Sequence, residues 1–371
     1  MAFIKKLRQL NRRRNYLKKE IKYSLDLYFA ARKWKKSPDN KQDKQDIKSI
    51  LLVRNEGKIG DAIVSTCFLK SLFAAGYRVD ILAVKENESL FRHNPYINNV
   101  YLSESLSDCQ RCDKYDTAIG NDVVRILREN AYDLLIDTAI WQTALYMPKM
   151  IADINPKLTL GFNKPGWLKP YDINIQFDHI NHHVKNIYRA VLDYLKVETV
   201  DGLNYEIFYP ERIDADINQS GMFSADAHNI LINIYASHAD RDLSEQQLSE
   251  LIGAIVRHDA ATNIVVLDHK GALDQAALHP AKVYRVPSLY HAFAAVKKSD
   301  CVITPDTAVV HISAAYNKAL VGIYQDSLKN NQLWSPGYSN GHQIFSDAFI
   351  FKNDGRLVEK ISQKIQTLIQ S

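Results

Sequence analysis

The sequence predicts an α/β protein of two Rossmann-like halves facing each other across a cleft, preceded by a basic helical extension. Three observations carry this. Continuous apolar runs such as Ile50-Leu51-Leu52-Val53 and Ile230-Leu231-Ile232 read as strands buried on both faces. Helix-forming stretches follow these runs at intervals that suit doubly wound parallel sheets. The whole pattern then restarts at Asn229, after an irregular stretch around residues 204–226.

Composition bounds the class. A chain of 371 residues, 46% hydrophobic and 24% charged, is long enough for two globular domains. No apolar run approaches the roughly 20 residues needed to span a bilayer. The first residues lack the uninterrupted apolar segment of a secretory signal, so export is not expected. Net charge is +5, but residues 1–48 alone carry +11, which leaves about −6 on the body. Basicity therefore belongs to a leader, and a nucleic-acid partner is not expected. Cys67, Cys109, Cys112 and Cys301 are scattered, as in a reducing compartment. Cys109-Gln110-Arg111-Cys112 has no second pair, so loop thiols are expected there in preference to a metal or redox site.

In order, residues 1–36 place Ile4, Leu7, Leu10, Leu17, Ile21, Leu25 and Tyr28 at mostly helical spacing among Lys and Arg. Such a helix can lie in an anionic membrane interface, or pack on the body with a solvated basic face. Ser37 to Gln45 reads as a linker, so residues 1–46 form the leader. Residues 47–215 are expected to be the first Rossmann-like domain and 216–352 the second. The first has strands at Ile50–Arg54, Val79–Val84 and Leu134–Asp137, and helices at 62–75, 122–129, 142–153 and 182–196. In the second, strands at 229–234 and 264–267 alternate with helices at 243–257 and 289–298. Ser244-x-x-Gln247 supplies a capping box for the helix at 243–257. Cys301 to Tyr316 then forms a strand, a turn at Thr304-Pro305-Asp306 and a helix capped by Asp306 or Thr307, with a further strand over Ala319–Tyr324. A last amphipathic helix over 354–369 could cross back to the first domain.

Three groups would face a cleft between such halves. The loop Arg54-Asn55-Glu56-Gly57-Lys58-Ile59-Gly60-Asp61 has glycines that admit a ligand, and Asp61 could be a general base or a helix N-cap. It matches neither G-x-x-x-x-G-K-[ST] nor G-x-G-x-x-G, so ATPase and dehydrogenase chemistry lose their main support. Arg241 could hold a diphosphate, or pair with Asp240 or Asp242. Thr307, Ala308 and Val309 could offer N–H groups to phosphate at a helix N-terminus, and His311 could touch the same ligand or simply be packed.

Arg54-x-x-x-x-Ile59-Gly60-Asp61, Arg241 and Asp306-Thr307-x-x-x-His311-x-x-Ala314-Ala315 together resemble glycosyltransferase family 9, the heptosyltransferases and relatives that build lipopolysaccharide core. The resemblance runs over roughly residues 48–350, with echoes at Tyr132–Asp137, Leu160-Gly161-Phe162 and Trp334-Ser335-Pro336. It implies a GT-B fold with an N-terminal acceptor domain and a C-terminal domain for a nucleotide-sugar donor, ADP-heptose or another. It implies inverting transfer without metal or cofactor to a lipid-linked saccharide. Asp61 falls on the family's base, Arg241 near its donor-phosphate Lys, and Asp306, Thr307 and His311 on its donor motif. Ala308 stands where the family pattern is often Gly, and Arg241-Asp242-Leu243-Ser244 replaces its Lys-Arg-Trp-Pro, so the donor is left open. A cytoplasmic protein, peripheral on the inner membrane, would suit the basic leader. Alternatives are another GT-B reaction such as nucleotide-sugar epimerisation, and a non-catalytic sugar-nucleotide-binding protein on the membrane.

Overall fold

The structure is a computed structural model and describes residues 2–36, 47–104, 114–327 and 330–369, with only the backbone for 2–10, 12 and 369. The expected linker and the Cys109/Cys112 pair lie outside the described residues. Two compact units divide the chain: unit 1 is Met1–Gly57, Ala75–Lys85 and Ile97–Phe177; unit 2 is Lys58–Ala74, Glu86–Tyr96 and Asp178–Ser371.

The first series runs α1 (Ala2–Lys33), β1 (Ser49–Arg54), α2 (Ile59–Val64), α3 (Leu69–Ala74), β2 (Arg78–Val84), α4 (Lys85–Arg92) and β3 (Asn99–Ser103). It continues with α5 (Asn121–Glu129), β4 (Leu134–Asp137), α6 (Met147–Ile154), β5 (Leu158–Phe162) and β6 (Ile173–Ile175). After α7 (Asn186–Leu195) and α8 (Arg212–Gln219) comes the second series: β7 (Asn229–Asn233), α9 (Glu245–His258), β8 (Asn263–Leu267), β9 (Lys282–Tyr284) and α10 (Leu289–Lys298). It ends with β10 (Cys301–Pro305), α11 (Ala308–Ala315), β11 (Ala319–Gln325), β12 (Gly341–Ser346) and α12 (Leu357–Ile369).

Both sheets are parallel, ordered β3-β2-β1-β4-β5-β6 in unit 1 and β12-β11-β10-β7-β8-β9 in unit 2. Each therefore has the doubly wound order, with its topological switch point between β1 and β4 or between β7 and β10. That is where the carboxyl ends of an α/β sheet receive ligands. Arg54 ends β1, Asp137 ends β4, and Pro305 ends β10 beside β7.

Several elements differ from expectation for local reasons. The helix expected over 62–75 is broken by a 3-10 turn, Ser65–Phe68. There the hydroxyls of Ser65 and Thr66 donate to the carbonyls of Ala62 and Ile63 at 2.6 and 2.8 Å, which tightens the coil. This segment also ties into unit 2, with Thr66 Oγ1 accepting from Glu206 N–H at 2.9 Å and Ser71 Oγ from Val200 N–H at 3.0 Å. The irregular stretch at 204–226 contains α8, held by Ile213 and Ile217 in the interior. The expected helix at 142–153 starts only at Met147, with Pro148 in its first turn.

The second core gathers Ile230, Ile232, Leu248, Leu251, Ile252, Val266 and Ile303, and Leu357, Ile361 and Ile365 of α12 join it. The last helix therefore packs within unit 2. In unit 1, Leu27 and Ala31 of α1 enter the core with Leu51, Val53, Leu82 and Leu135. The C-terminal half of the leader helix is thus docked on this unit.

Candidate functional site

Unit 2 brings three sequence-distant segments together around the start of α11. Pro305 closes β10, and the Asp306 N–H donates to Ile323 O at 2.8 Å as the chain turns off the sheet. Thr307 is the N-cap: its Oγ1 accepts from the Val309 N–H at 3.2 Å. Thr304 Oγ1 lies 3.2 Å from the Thr307 hydroxyl and accepts from Asn233 Nδ2 of β7 at 2.9 Å, so the switch point orients the cap. Of the three N–H groups expected to face phosphate, that of Val309 is committed to this cap. Asp306 is not the cap.

Its carboxylate instead receives Arg241. This residue closes a short 3-10 turn, Ala239–Arg241, beyond β7. Its Nη1 donates to Asp306 Oδ2 at 2.9 Å and to Asp306 O at 3.4 Å, and its Nη2 donates to Ser237 Oγ. The pairing with Asp240 or Asp242 weighed from the sequence is not made; Asp242 accepts from the Ala236 N–H at 2.7 Å and pairs with Lys270. Burial pushes the Asp306 carboxyl above the ordinary range, Arg241 pulls it back down, and the negative charge of Asp61 pushes it up again.

Asp61 sits in the first turn of α2, whose N-cap is Lys58, without a side-chain capping bond. Asp61 therefore does not hold the N-cap position weighed for it. An α-helical first turn still favours its carboxylate. Gly60 explains how α2 comes so near α11. A β-carbon there would lie 3.0 Å from His311 Cδ2 and 3.6 Å from Ala308 Cα.

His311 itself is buried, 4% exposed, with the rings of Tyr205 and Trp334 edge-on at 6.0 Å each. Burial pushes its imidazole down to about 3, and nearby His183 adds to the effect. A neutral His311 brings no positive charge to a diphosphate. Its Nδ1 is buried with no hydrogen-bond partner. His183 is likewise buried and pushed down to about 4; its Nε2–H donates to Ser335 O at 2.9 Å while Nδ1 accepts from Lys185 N–H at 3.0 Å. His183 and Tyr205 escape sequence reasoning, since neither carries a local pattern; Trp334 was visible only inside a short family echo.

Arg54 and Gly57 belong to unit 1. Arg54 is 3% exposed; its guanidinium pairs with Glu56 at 3.1 Å and donates to Thr138 Oγ1. Gly57 has φ of +71°, a turn that a side chain would strain. Beside them at the carboxyl end of β4, Asp137 holds Lys164 Nζ at 2.9 Å and accepts the Tyr171 hydroxyl at 2.5 Å, all three buried. Lys58 is exposed.

Residues 121–349 match the family model described as glycosyltransferase family 9 (heptosyltransferase). A protein of Escherichia coli (strain K12) provisionally named lipopolysaccharide heptosyltransferase 4 is 22% identical over 320 residues, covering 84% of this chain and 85% of its own length. Among solved structures, the glycosyl transferase family 9 protein of Veillonella parvula aligns with a TM-score of 0.68 at 16% identity, over 90% of this chain and 92% of that one. The E. coli heptosyltransferase WaaC with ADP aligns with a TM-score of 0.65 at 14% identity, over 87% of this chain and 98% of that one.

Proposed function

The chain belongs to glycosyltransferase family 9 and has the GT-B fold; from that premise we propose that it moves a heptose or related sugar from a nucleotide-sugar donor to a lipopolysaccharide or lipooligosaccharide core. In this reading the transfer inverts the anomeric centre and needs no metal ion. Asp61 removes the proton from the acceptor hydroxyl, the freed oxygen attacks the anomeric carbon, and the bond to the diphosphate breaks. Negative charge grows on the leaving diphosphate. Arg241 and the N-terminus of α11 would meet it, one with a full positive charge and the other with the helix dipole and the Ala308 N–H.

One observation carries the reading. The first turn of α2, which carries the Asp61 carboxylate, meets the head of α11, which carries the Arg241–Asp306 pair: a β-carbon on Gly60 would lie 3.6 Å from Ala308 Cα. The donor domain is assigned to residues 216–352 and the acceptor domain to 47–215, with Arg54, Gly57, Lys58 and Gly60 on the acceptor loop. A relative solved with ADP makes ADP-heptose the first donor to try. Ala308 and Arg241 keep UDP- and GDP-sugars in the trial, because both substitutions fall in the donor motif.

Residues 1–36 would bring the enzyme to an anionic membrane where a lipid-linked acceptor is presented, on the cytoplasmic face of the inner membrane. The test is transfer by purified protein from each donor class to a core acceptor. Product is expected with one class and none from Asp61→Ala. Near wild-type transfer by Asp61→Ala would sink the base assignment, and donor binding without turnover on any acceptor would favour a binding protein instead.

A further inference from the structure

The leader helix has two sides with different fates. Toward unit 1, Leu27, Ala30 and Ala31 are buried, and the Tyr23 hydroxyl donates to Thr143 O at 2.7 Å. Both acidic residues in its described part are occupied here: Gln142 Nε2 donates to Glu20 at 3.1 Å, and Asp26 pairs with Lys114 at 2.7 Å. The other side shows Leu17, Ile21, Leu25 and Phe29, which are 61%, 53%, 51% and 61% exposed. Their four-residue spacing makes one slowly winding stripe. Arg14, Lys18 and Lys22, all exposed, run beside it at the same spacing.

Unit 1 extends that stripe with residues far away in sequence. Trp167, 38% exposed, lies edge-on to Tyr28 at 5.8 Å. Trp141, 49% exposed, adjoins the Gln142 that reaches Glu20. Of thirteen large apolar side chains exposed among the described residues, eight are on α1 or are these two tryptophans. Six of the eight share one helix and Trp167 packs against it, a clustering of the kind that marks an interaction surface.

We propose that this composite surface of α1, Trp141 and Trp167 lies in the interfacial layer of an anionic phospholipid bilayer. The inference rests on the membrane association proposed above and assigns it to particular residues, two of them outside the leader. The stripe enters the boundary between headgroups and acyl chains, the indoles sit at headgroup level, and the basic row meets lipid phosphates. No helix among the described residues is long and apolar enough to cross a membrane, so α1 would lie in the plane. A second copy of the chain is a poorer occupant, because two basic rows would face each other. Since α1 is fastened to unit 1 by buried contacts, the bilayer would hold that unit in one orientation.

The experiment uses the full chain, phosphatidylcholine vesicles with or without phosphatidylglycerol, and lipids brominated along the acyl chain as tryptophan quenchers. Binding is expected on the anionic vesicles only, weakening with salt, and with the tryptophan emission quenched. Trp141→Phe with Trp167→Phe should keep binding and lose most of the quenching. Leu17→Ser with Phe29→Ser should weaken binding at least about tenfold, since both remove apolar surface from the stripe that enters the bilayer. Circular dichroism and transfer to a water-soluble acceptor, both unchanged, would show the variants folded. Binding without quenching of Trp141 and Trp167 keeps the membrane reading but overturns this surface; no binding to any vesicle overturns both. Concentration-dependent self-association that these same substitutions abolish would make a second copy the occupant and overturn the proposal.

Discussion

The missing side chain of Gly60 is matched by the ring of His311: a β-carbon on the first would stand 3.0 Å from Cδ2 of the second. Behind it, Ala308 Cα is 3.6 Å from the same point, so the contact is between the first turns of α2 and α11. Gly60→Ala must push these turns apart by a few tenths of an ångström and carry Asp61 with them. In the proposed reaction that displacement separates base from donor site. The expected result is a fall in turnover of about tenfold or more, with the loss of stability held to roughly 1–3 kcal/mol. His311→Ala in the same chain should recover part of the rate by opening the space. Steady-state kinetics and thermal melts on wild type and the two variants check it, and an unchanged turnover in Gly60→Ala would remove the spacing argument.

Arg241 has to serve two anions if the donor binds as proposed, Asp306 and the diphosphate. Arg241→Met should raise the donor KM by about tenfold or more, as loss of a charge-assisted bond worth roughly 1.5–3 kcal/mol requires. Arg241→Lys keeps the charge but not the fork that spans Asp306 and Ser237, and should fall between. With the guanidinium gone, burial and Asp61 act on Asp306 unopposed, so its carboxyl rises further. Carboxyl titration followed by NMR should therefore place the Asp306 transition at higher pH in Arg241→Met than in wild type.

Lys164 and Asp137 form a pair in unit 1 whose side chains are only 4% and 6% exposed. Removing one partner strands the other charge in the interior. Lys164→Met is expected to cost about 3–5 kcal/mol in denaturant unfolding, while adding Asp137→Asn should return a large part of it. Gly161→Ala should also destabilise, because its β-carbon would sit 2.6 Å from both Lys164 Cε and Tyr171 Cδ1. A Lys164→Met protein as stable as wild type would mean that Asp137 finds another partner or a proton.

How much of this was legible in the sequence follows from where the stabilising contacts lie. β1, β2, β4, β7, β8, β10 and β11 were readable because strands buried on both faces need apolar runs, which theirs keep with few breaks, such as Asp80 in β2 and Gly322 in β11. The α9 capping box was readable because both partners are three residues apart, and Ser244 and Gln247 do bond reciprocally. Edge strands such as β6 and β12 were not, since Ile173-Asn174-Ile175 and Gly341–Ser346 are partly exposed and too mixed to stand out. Asp61, Arg241 and Asp306 were expected around one cleft, but the contacts that join them were not legible. Their meeting depends on α2 packing against α11 within unit 2, and the one local clue to that, Gly60, was read as room for a ligand. It is occupied by His311. The leader left two readings open, and its second half takes up packing through Leu27 and Ala31, with Tyr23 packed beside them.

His183 and His311 make acid sensitivity a property of the site. Both are neutral in the folded protein, since burial pushes them down to about 4 and about 3. In the unfolded chain each takes up a proton near its ordinary value of about 6.5. Their folded values are lowered, so their contribution to stability is complete above about pH 6.5 and is lost as the pH falls toward 4 and then 3. Across that window the unfolded state binds more protons, and each histidine should tilt the stability curve by up to about 1.4 kcal/mol per pH unit. His311→Phe keeps a ring between Tyr205 and Trp334 but cannot titrate, and His183→Asn can still donate to Ser335 O. Each substitution is expected to flatten the dependence of unfolding free energy on pH between 6.5 and 4, whatever it does to stability at neutral pH. Denaturant titrations at several pH values measure that slope directly. A slope identical to wild type in His311→Phe would mean that the buried imidazole is already protonated in the fold, which its unpartnered Nδ1 and the neighbouring His183 argue against.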